Sequence, residues 1–366
     1  MVPHGICILR DNGPMERVEI LIIGGGIAGL STAWHLARRG MTDVLLLDRE
    51  PLPGFYSSGH NAGIGRQLTG KAEHTALTVA GLQRLAEVGL LEPTGGLLLG
   101  AEAGGTAALA REAEAFGLRA ESGPGSTVAG LRAEEHLRIP SDGVIDVDRM
   151  LAVCAEGARS GGARLRFGCA VRAIHPGAEG FEVETDQGPI RAARLVNAAG
   201  GWAQALGRLA GGLDLAFQPL RRHLVWSPQP WPVAGPWAWW ADRPFYLRSE
   251  SGGLLLCCVE EEAVDLPPRG QQPPNREGIL EDLSERLKEL APDLADLPIA
   301  RLWNGLRTFT PDRRFMIGAD PLNPRLFWVA GLGGHGMTSG LAVGDLAARA
   351  LAEGAPTGHL DPARFA

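Results

Sequence analysis

Gly24, Gly26 and Gly29 stand in the spacing G-x-G-x-x-G, directly after the apolar run Val18–Ile23 and directly before Ile27–Arg39. Glycine there allows a tight turn and lets backbone approach an anion at a helix N-terminus, where free N–H groups and the dipole favour negative charge. Asp48 closes the next apolar run, Val44–Leu47, nineteen residues after Gly29. A carboxylate at that place accepts hydrogen bonds from a ribose. The chemistry implied is the grip on a dinucleotide, and the pattern alone does not separate NAD from FAD.

The elements that must hold these residues follow from periodicity. Val18–Ile23 and Val44–Leu47 read as buried parallel strands, and Ile27, Leu30, Ala33, Trp34 and Ala37 give a helix that stops at Gly40. Strand, helix and strand within about thirty residues make a βαβ unit. Beyond a Gly/Ser/Asn-rich loop from Pro51 to Gly70, further helices are predicted over Ala72–Val88, Thr106–Phe116, Asp148–Ser160, Glu277–Leu290 and Met337–Leu351. Strands are predicted at Gly95–Gly100, Arg164–Phe167, Ala170–Ile174, Phe181–Thr185, Ile190–Val196, Phe217–Trp226, Phe245–Arg248, Gly253–Val259 and Arg325–Ala330. No internal repeat interrupts this order.

The 366 residues suffice for two lobes. With 45% hydrophobic and 21% charged residues and a formal charge of −7, the composition is that of a soluble globular protein. No basic run is long enough to suggest nucleic acid, and no apolar run reaches the roughly eighteen residues of a membrane span. Residues Met1 to Glu16 hold only the short apolar run Gly5–Leu9 and no small-residue cleavage site. The five cysteines lack metal or CxxC spacing, so no metal is expected, and a cytoplasmic, reducing compartment is. Peripheral membrane association stays open.

Several segments in fixed order resemble the D-amino acid oxidase superfamily. These are Ser57-Ser58-Gly59-His60-Asn61-Ala62-Gly63, Asn197-Ala198-Ala199-Gly200-Gly201-Trp202-Ala203, Gly305-Leu306-Arg307, Thr310-Pro311-Asp312 with Ile317-Gly318, and Gly331-Leu332-Gly333-Gly334-His335-Gly336. Gln218-Pro219 with Arg221-Arg222, Phe245-Tyr246-Leu247 and Trp303–Arg307 resemble the D-amino acid dehydrogenase, glycine oxidase and sarcosine oxidase branch, D-arginine dehydrogenase in particular. The chain departs from that enzyme at Ile64, Arg66 and Thr69, and at Gly96 or a neighbour, where an acid would face a guanidinium.

The resemblance implies an α/β, two-lobed fold: an FAD-binding Rossmann-type domain with a mixed-sheet α+β substrate domain. Its expected boundaries are 15–75, 142–216 and 305–366 for the FAD domain, 76–141 and 217–304 for the substrate domain, and 1–14 as an extension. Implied FAD contacts come from Gly24, Gly26, Ile27, Ala28 and Gly29, from Asp48 and Arg49, and from Ser57, Ser58, Asn61, Ala62 and Gly63. Val171, Ala199, Gly200 and Trp202 follow, then Arg307 with Gly333, Gly334, His335, Gly336 and Met337, whose amides would face the flavin. Arg307 and Arg222 would meet a substrate carboxylate, with Tyr246 adding a hydroxyl. Arg66 resembles the basic residue that sarcosine oxidases hold against the flavin. Both tyrosines of the chain, Tyr56 and Tyr246, fall in candidate segments.

His60 precedes Asn-Ala-Gly as the flavin-linked histidine precedes Ala-Ala-Gly in dimethylglycine dehydrogenases. It is read here as a histidine packed beside the cofactor, and no cysteine follows Gly331, so non-covalent FAD is expected. One of Trp239 and Trp240 is expected to line the pocket, Arg221 or Arg222 to face it, and Glu260-Glu261-Glu262 to form an exposed turn. The implied reaction is oxidation of the C–N bond of a small amino acid carrying a carboxylate, of the D-amino acid dehydrogenase or oxidase type, by hydride transfer from the α-carbon to flavin N5, with oxygen, a quinone or another carrier as electron acceptor. Oxidation of a glycine or N-methyl amino acid, oxidation of a 2-hydroxy acid or polyol phosphate, and an NAD-binding or non-catalytic Rossmann protein remain as alternatives.

Overall fold

The run Glu16–Ile23 forms the centre of a sheet buried on both faces, which is why it is apolar without alternation. Ile20 and Ile22 point into one apolar cluster with Leu30, Met150 and Val343. Leu21 and Ile23 point into the other with Leu45, Phe181 and Trp328. In this computed structural model residues 15–231 and 235–366 are described. The expected extension 1–14 and part of the Pro/Trp-rich stretch lie outside them.

Among the described residues that sheet has eight strands. Its path runs through Val171–Gly177, Gly180–Thr185, Gly188–Asn197, Glu16–Ile23, Val44–Asp48 and Arg164–Phe167. Leu326–Ala330 joins in parallel at the end of Gly188–Asn197 and carries Met316–Ala319 antiparallel beside it. Glu16–Ile23 is parallel to both neighbours, so the Rossmann-type reading holds. The alternation in Phe181–Thr185 belongs to an antiparallel hairpin, as predicted. Helices Ile27–Ala37 and Gly336–Glu353 press together so closely that a Cβ on Gly344 would stand 2.1 Å from Ser31 Oγ.

A second, nine-stranded sheet runs through Glu262–Ala263, Gln218–Ser227, Gly253–Cys257, Tyr246–Glu250, Trp237–Trp240, Gly96–Gly100, Glu135–Ile139 and Glu121–Pro124, with Arg301–Phe309 on the free side of Gln218–Ser227. It is mixed, since Trp237–Trp240 lies parallel to Gly96–Gly100 and its other pairings are antiparallel. Helix Ile279–Leu290 covers one face, burying Ile279, Leu283, Leu287 and Leu290 against Trp240, Leu254 and Leu256. The expected boundary at 305 falls inside the continuous strand Arg301–Phe309. That strand and Trp237–Trp240 escape periodicity. The first carries arginines, an asparagine and a glycine along a cavity wall, and the second alternates little because both its faces are covered.

No helix among the described residues is long and apolar enough to cross a membrane. None of them cluster three or more His, Cys, Asp or Glu side chains that could hold a metal.

Candidate active site

The glycine turn shows why each glycine stands where it does. Gly24 has φ +123, and a Cβ there would lie 2.2 Å from the Ala198 carbonyl oxygen. Gly26 brings no side chain to cap helix Ile27–Ala37, and the Ile27 N–H donates to Ser58 Oγ at 3.0 Å, which leaves the amides after it in the first turn for a ligand. At Gly26 itself a Cβ would meet only Ser58 Oγ, at 3.1 Å. Gly29 differs from expectation. It does not reach the cavity; a Cβ there would lie 2.0 Å from the Gly24 oxygen, so it serves the packing of helix on turn.

Asp48 accepts from the backbone N–H of Gly25 at 2.5 Å and of Glu50 at 2.7 Å. Burial raises its pKa, while those two amides oppose the rise. Each oxygen retains a second lone pair for a ribose hydroxyl. Beside it the Arg49 guanidinium lies 4.0 Å over the Trp202 ring and hydrogen-bonds Glu50 at 3.0 Å. Tyr56 donates to the buried Glu50 at 2.7 Å and accepts from Arg49 at 2.6 Å. This aromatic and ionic wall forms one end of a cavity of about 600 Å³, a size usual for bound small molecules.

The other end is built by the second sheet and the glycine-rich turn before the last helix. Arg66, Arg222, Trp239, Tyr246, Arg307 and His335 line it. Register places Arg222 opposite Gly305 and Leu220 opposite Arg307 on neighbouring strands. Arg66 lies 4.1 Å over the Trp239 ring, and Trp239 stacks on Tyr246 at 4.4 Å. The Tyr246 hydroxyl is fully buried, and among the described residues it meets only the weakly accepting Cys257 thiol on the paired strand. Burial raises the Tyr246 pKa well above its ordinary value, so the hydroxyl stays protonated and able to donate. Arg307 rests against Gly334, where a Cβ would stand 3.0 Å from its Nη1. His335 is held uncharged by burial, with Arg66 next in effect.

Apart from Gly29, every expected cofactor and substrate contact lies on this one cavity wall. Several finer expectations change. Arg222 is partly committed within the chain: its Nε donates to the Glu260 carbonyl and its Nη2 pairs with Glu261, both at 3.1 Å. Arg221 turns from the cavity toward Glu262, at 2.7 Å. The three glutamates are therefore not a free exposed turn but the partners of Arg221, Arg222 and His223, since Glu260 also meets His223 Nδ1 at 2.7 Å. Trp239 lines the cavity, while Trp240 is buried in the core with its Nε1 bonded to the Arg132 carbonyl. His60 sits on the wall with Nδ1 at 3.1 Å from the Asn304 carbonyl. Gly96 is packed against Trp237 and does not reach the cavity, whose acids among the described residues are Asp48 and Glu261.

Glu50, Lys71 and His74 also shape the site without having been singled out. Glu50 looks like a polar residue after a strand; only its contact with Gly270, from a distant loop, shows it as a buried anchor. His74 stacks on Phe315 at 4.1 Å, and burial lowers its pKa to about 4. Helical spacing alone made it an ordinary helix residue.

The open helix N-terminus, the ribose-side carboxylate, the arginine–tryptophan wall and the unpartnered donors opposite suit an adenine dinucleotide with an anionic substrate beyond it. The FAD dependent oxidoreductase family matches residues 19–350. Mitochondrial dimethylglycine dehydrogenase of Mus musculus is 30% identical over 405 residues, covering 96% of this chain and 44% of that protein. The chain thus spans under half the length of that relative. Glycine oxidase of Geobacillus kaustophilus (strain HTA426) is 27% identical over 361 residues, covering 91% and 94% of the two chains. L-proline dehydrogenase from P.horikoshii superposes with TM-score 0.85 at 25% identity, covering 96% of this chain and 98% of that one. The chain belongs to the DAO family of FAD dependent oxidoreductases, and FAD is its cofactor.

Proposed function

We propose that this chain oxidises the C–N bond of a small amino acid, the imino acid product hydrolysing to a keto acid and ammonia. Bound FAD supplies the two-electron acceptor for the hydride that leaves the substrate α-carbon. The FAD pyrophosphate would lie at the amides of the Gly24–Ala28 turn, its ribose at Asp48, and its adenine end by Arg49, Val171 and Trp202. Ser57, Ser58, Asn61, Ala62 and Gly63 would run along the flavin, with Gly333 to Met337 across from them. We hold the FAD to be non-covalent, with His60 fixed through the Asn304 carbonyl.

One observation carries the substrate reading. Arg307 projects onto the cavity wall with no hydrogen bond or ion pair among the described residues. A guanidinium fork in that state suits a carboxylate through two parallel charge-assisted bonds. The buried Tyr246 hydroxyl supplies a further donor. Holding the carboxylate orients the α-carbon, and that orientation rather than a dedicated base provides most of the effect. Gln218-Pro219 and Phe245-Tyr246-Leu247 support the D-amino acid type. The relatives named for dimethylglycine and glycine support a glycine or N-methyl amino acid as the second reading. Among the described residues the cavity has no free acid for a guanidinium, which argues against D-arginine. The four cysteines among the described residues are buried and unpaired, in keeping with a cytoplasmic site of action.

The test is anaerobic mixing of the purified flavoprotein with D-amino acids, glycine, sarcosine, matched 2-hydroxy acids and decarboxylated amines. Loss of the oxidised flavin bands with amino acids alone is expected. Bleaching by hydroxy acids but not by amino acids would overturn the assignment.

A further inference from the structure

The substrate end of the cavity holds more positive charge than one amino acid carboxylate can answer. The chain as a whole has a formal charge of −7. Yet Arg66, Lys71, Arg222, Arg307 and Arg313 line this end against a single carboxylate among the described residues, Glu261. Glu261 is already shared, meeting Arg222 at 3.1 Å and Arg313 at 2.7 Å. Lys71 is exposed and solvated. Two guanidiniums are left, Arg66 and Arg307, each partly buried and each without a hydrogen bond or ion pair among the described residues.

Arg307 is answered by the α-carboxylate in the reading above, on which this inference rests. Arg66 is not. It lies 4.1 Å over Trp239, on the same wall as Tyr246, rather than out in solvent. The acids that act on it are Asp142 and Glu112, and neither forms an ion pair with it. Asp142 uses one oxygen on Gln67 N and Nε2, at 3.1 and 3.0 Å, and its other oxygen is buried without a partner. A guanidinium drawn out of water without an anion is unfavourable, and burial brings the Arg66 pKa down to about 10.

We propose that the preferred substrate is an amino acid bearing a second carboxylate, with the α-carboxylate at Arg307 and the second at Arg66. The simplest member of the class is a secondary amine flanked by two carboxymethyl groups. A basic cavity mouth in an acidic protein would also steer such a dianion inward.

The experiment compares two inert ligands of the holoenzyme, thiodiacetate and methylthioacetate, which differ by one carboxylate. Both are titrated by their perturbation of flavin absorbance. Thiodiacetate should bind on the order of 10- to 100-fold more tightly, as one charge-assisted bidentate pair allows. In Arg66→Met that gap should close, and in Arg66→Lys part of it should remain, since lysine keeps the charge but not the fork. The kcat/KM ratio of iminodiacetate to sarcosine should follow the same order. Equal binding of the two ligands by the wild type overturns the second subsite while leaving the proposed function intact if sarcosine still bleaches the flavin. An Arg66→Met protein that loses affinity equally for both ligands also overturns it, and assigns Arg66 to the cofactor. Should no amino acid bleach the flavin and neither ligand perturb it, the proposed function falls as well.

Discussion

At the scale of single residues the site depends on donors that find no strong acceptor among the described residues. Arg307 and the Tyr246 hydroxyl are such groups, whereas Arg222 is partly neutralised by Glu261. The roles of the two arginines are therefore unequal. Replacing Arg307 by alanine should leave the visible flavin spectrum nearly unchanged and weaken substrate capture severely. A desolvated carboxylate that loses its charged partner costs about 2–5 kcal/mol, or roughly 30- to several-thousand-fold in apparent affinity. Arg307→Lys should recover only part of the loss. Steady-state kinetics with an amino acid and its amide check this directly. If the wild type handles the amide as readily as the acid, Arg307 does not bind a carboxylate.

At the scale of elements, two pieces of local geometry define the cavity. One is the strand–turn–helix at Glu16–Ala37; the other is the antiparallel pair Gln218–Ser227 and Arg301–Phe309, whose register sets the arginines on the wall. The three motif glycines give separable tests. Side chains at Gly24 and Gly29 would collide with backbone at 2.2 and 2.0 Å, so substitutions there damage the fold itself. Gly26 is different, because the chain leaves room for a Cβ apart from Ser58 Oγ at 3.1 Å. Gly26→Val should fold and yet purify with little or no flavin, as its branch enters the space where backbone and pyrophosphate must nearly touch. Circular dichroism and acid-released flavin per chain are the measurements. Normal flavin content in a folded variant would remove this turn from the cofactor site. For the wild type, FAD should appear in the acid supernatant; flavin fluorescence that stays with the polypeptide would point to His60.

At the scale of the whole molecule, helices from distant parts of the chain are tied together at Asp345. Its carboxylate accepts from Arg39 at 2.7 Å and Arg84 at 2.9 Å, and His35 Nδ1 lies 3.7 Å away. Burial lowers the pKa of His35 to about 4, and the Asp345 charge only partly offsets this. The unfolded chain takes up a proton near pH 6.5, and the folded chain only near pH 4. The contribution of neutral His35 is therefore complete above pH 6.5 and lost as pH falls toward 4, up to about 3 kcal/mol. His74, also at about 4, acts in the same sense, while Asp142, raised by burial to about 7, acts in the opposite sense over pH 4–7. Urea unfolding of wild type and His35→Gln isolates one term. Their stability difference should be flat above pH 6.5 and shift by about 3 kcal/mol in favour of the variant by pH 4. A difference that stays constant across that range would place the acid sensitivity elsewhere.

The local pattern alone determined the strand–helix–strand unit from Glu16 to Asp48. A doubly buried strand must be continuously apolar, a turn without space for Cβ must be glycine, and a helix with anion-seeking amides must follow it. Each demand acts within about thirty residues, so the turn that carries Gly24, Gly26 and Ile27 and the strand that Asp48 closes were legible along the chain, and ordered segments elsewhere pointed to the family. What the tertiary structure decided is charge compensation. Residues 221–223 and 260–262 read separately as a basic pair and an acidic turn, and only strand pairing shows each neutralising the other. Trp239 and Trp240 are neighbours of one type, and sheet pleat sends one to the cavity and the other to the core. Glu50 becomes an anchor only because a loop more than two hundred residues away closes over it. Arg66 and Arg307 stand without acid partners among the described residues for the same reason: whether a guanidinium finds an acid depends on which segments fold beside it, and no spacing along the sequence records that.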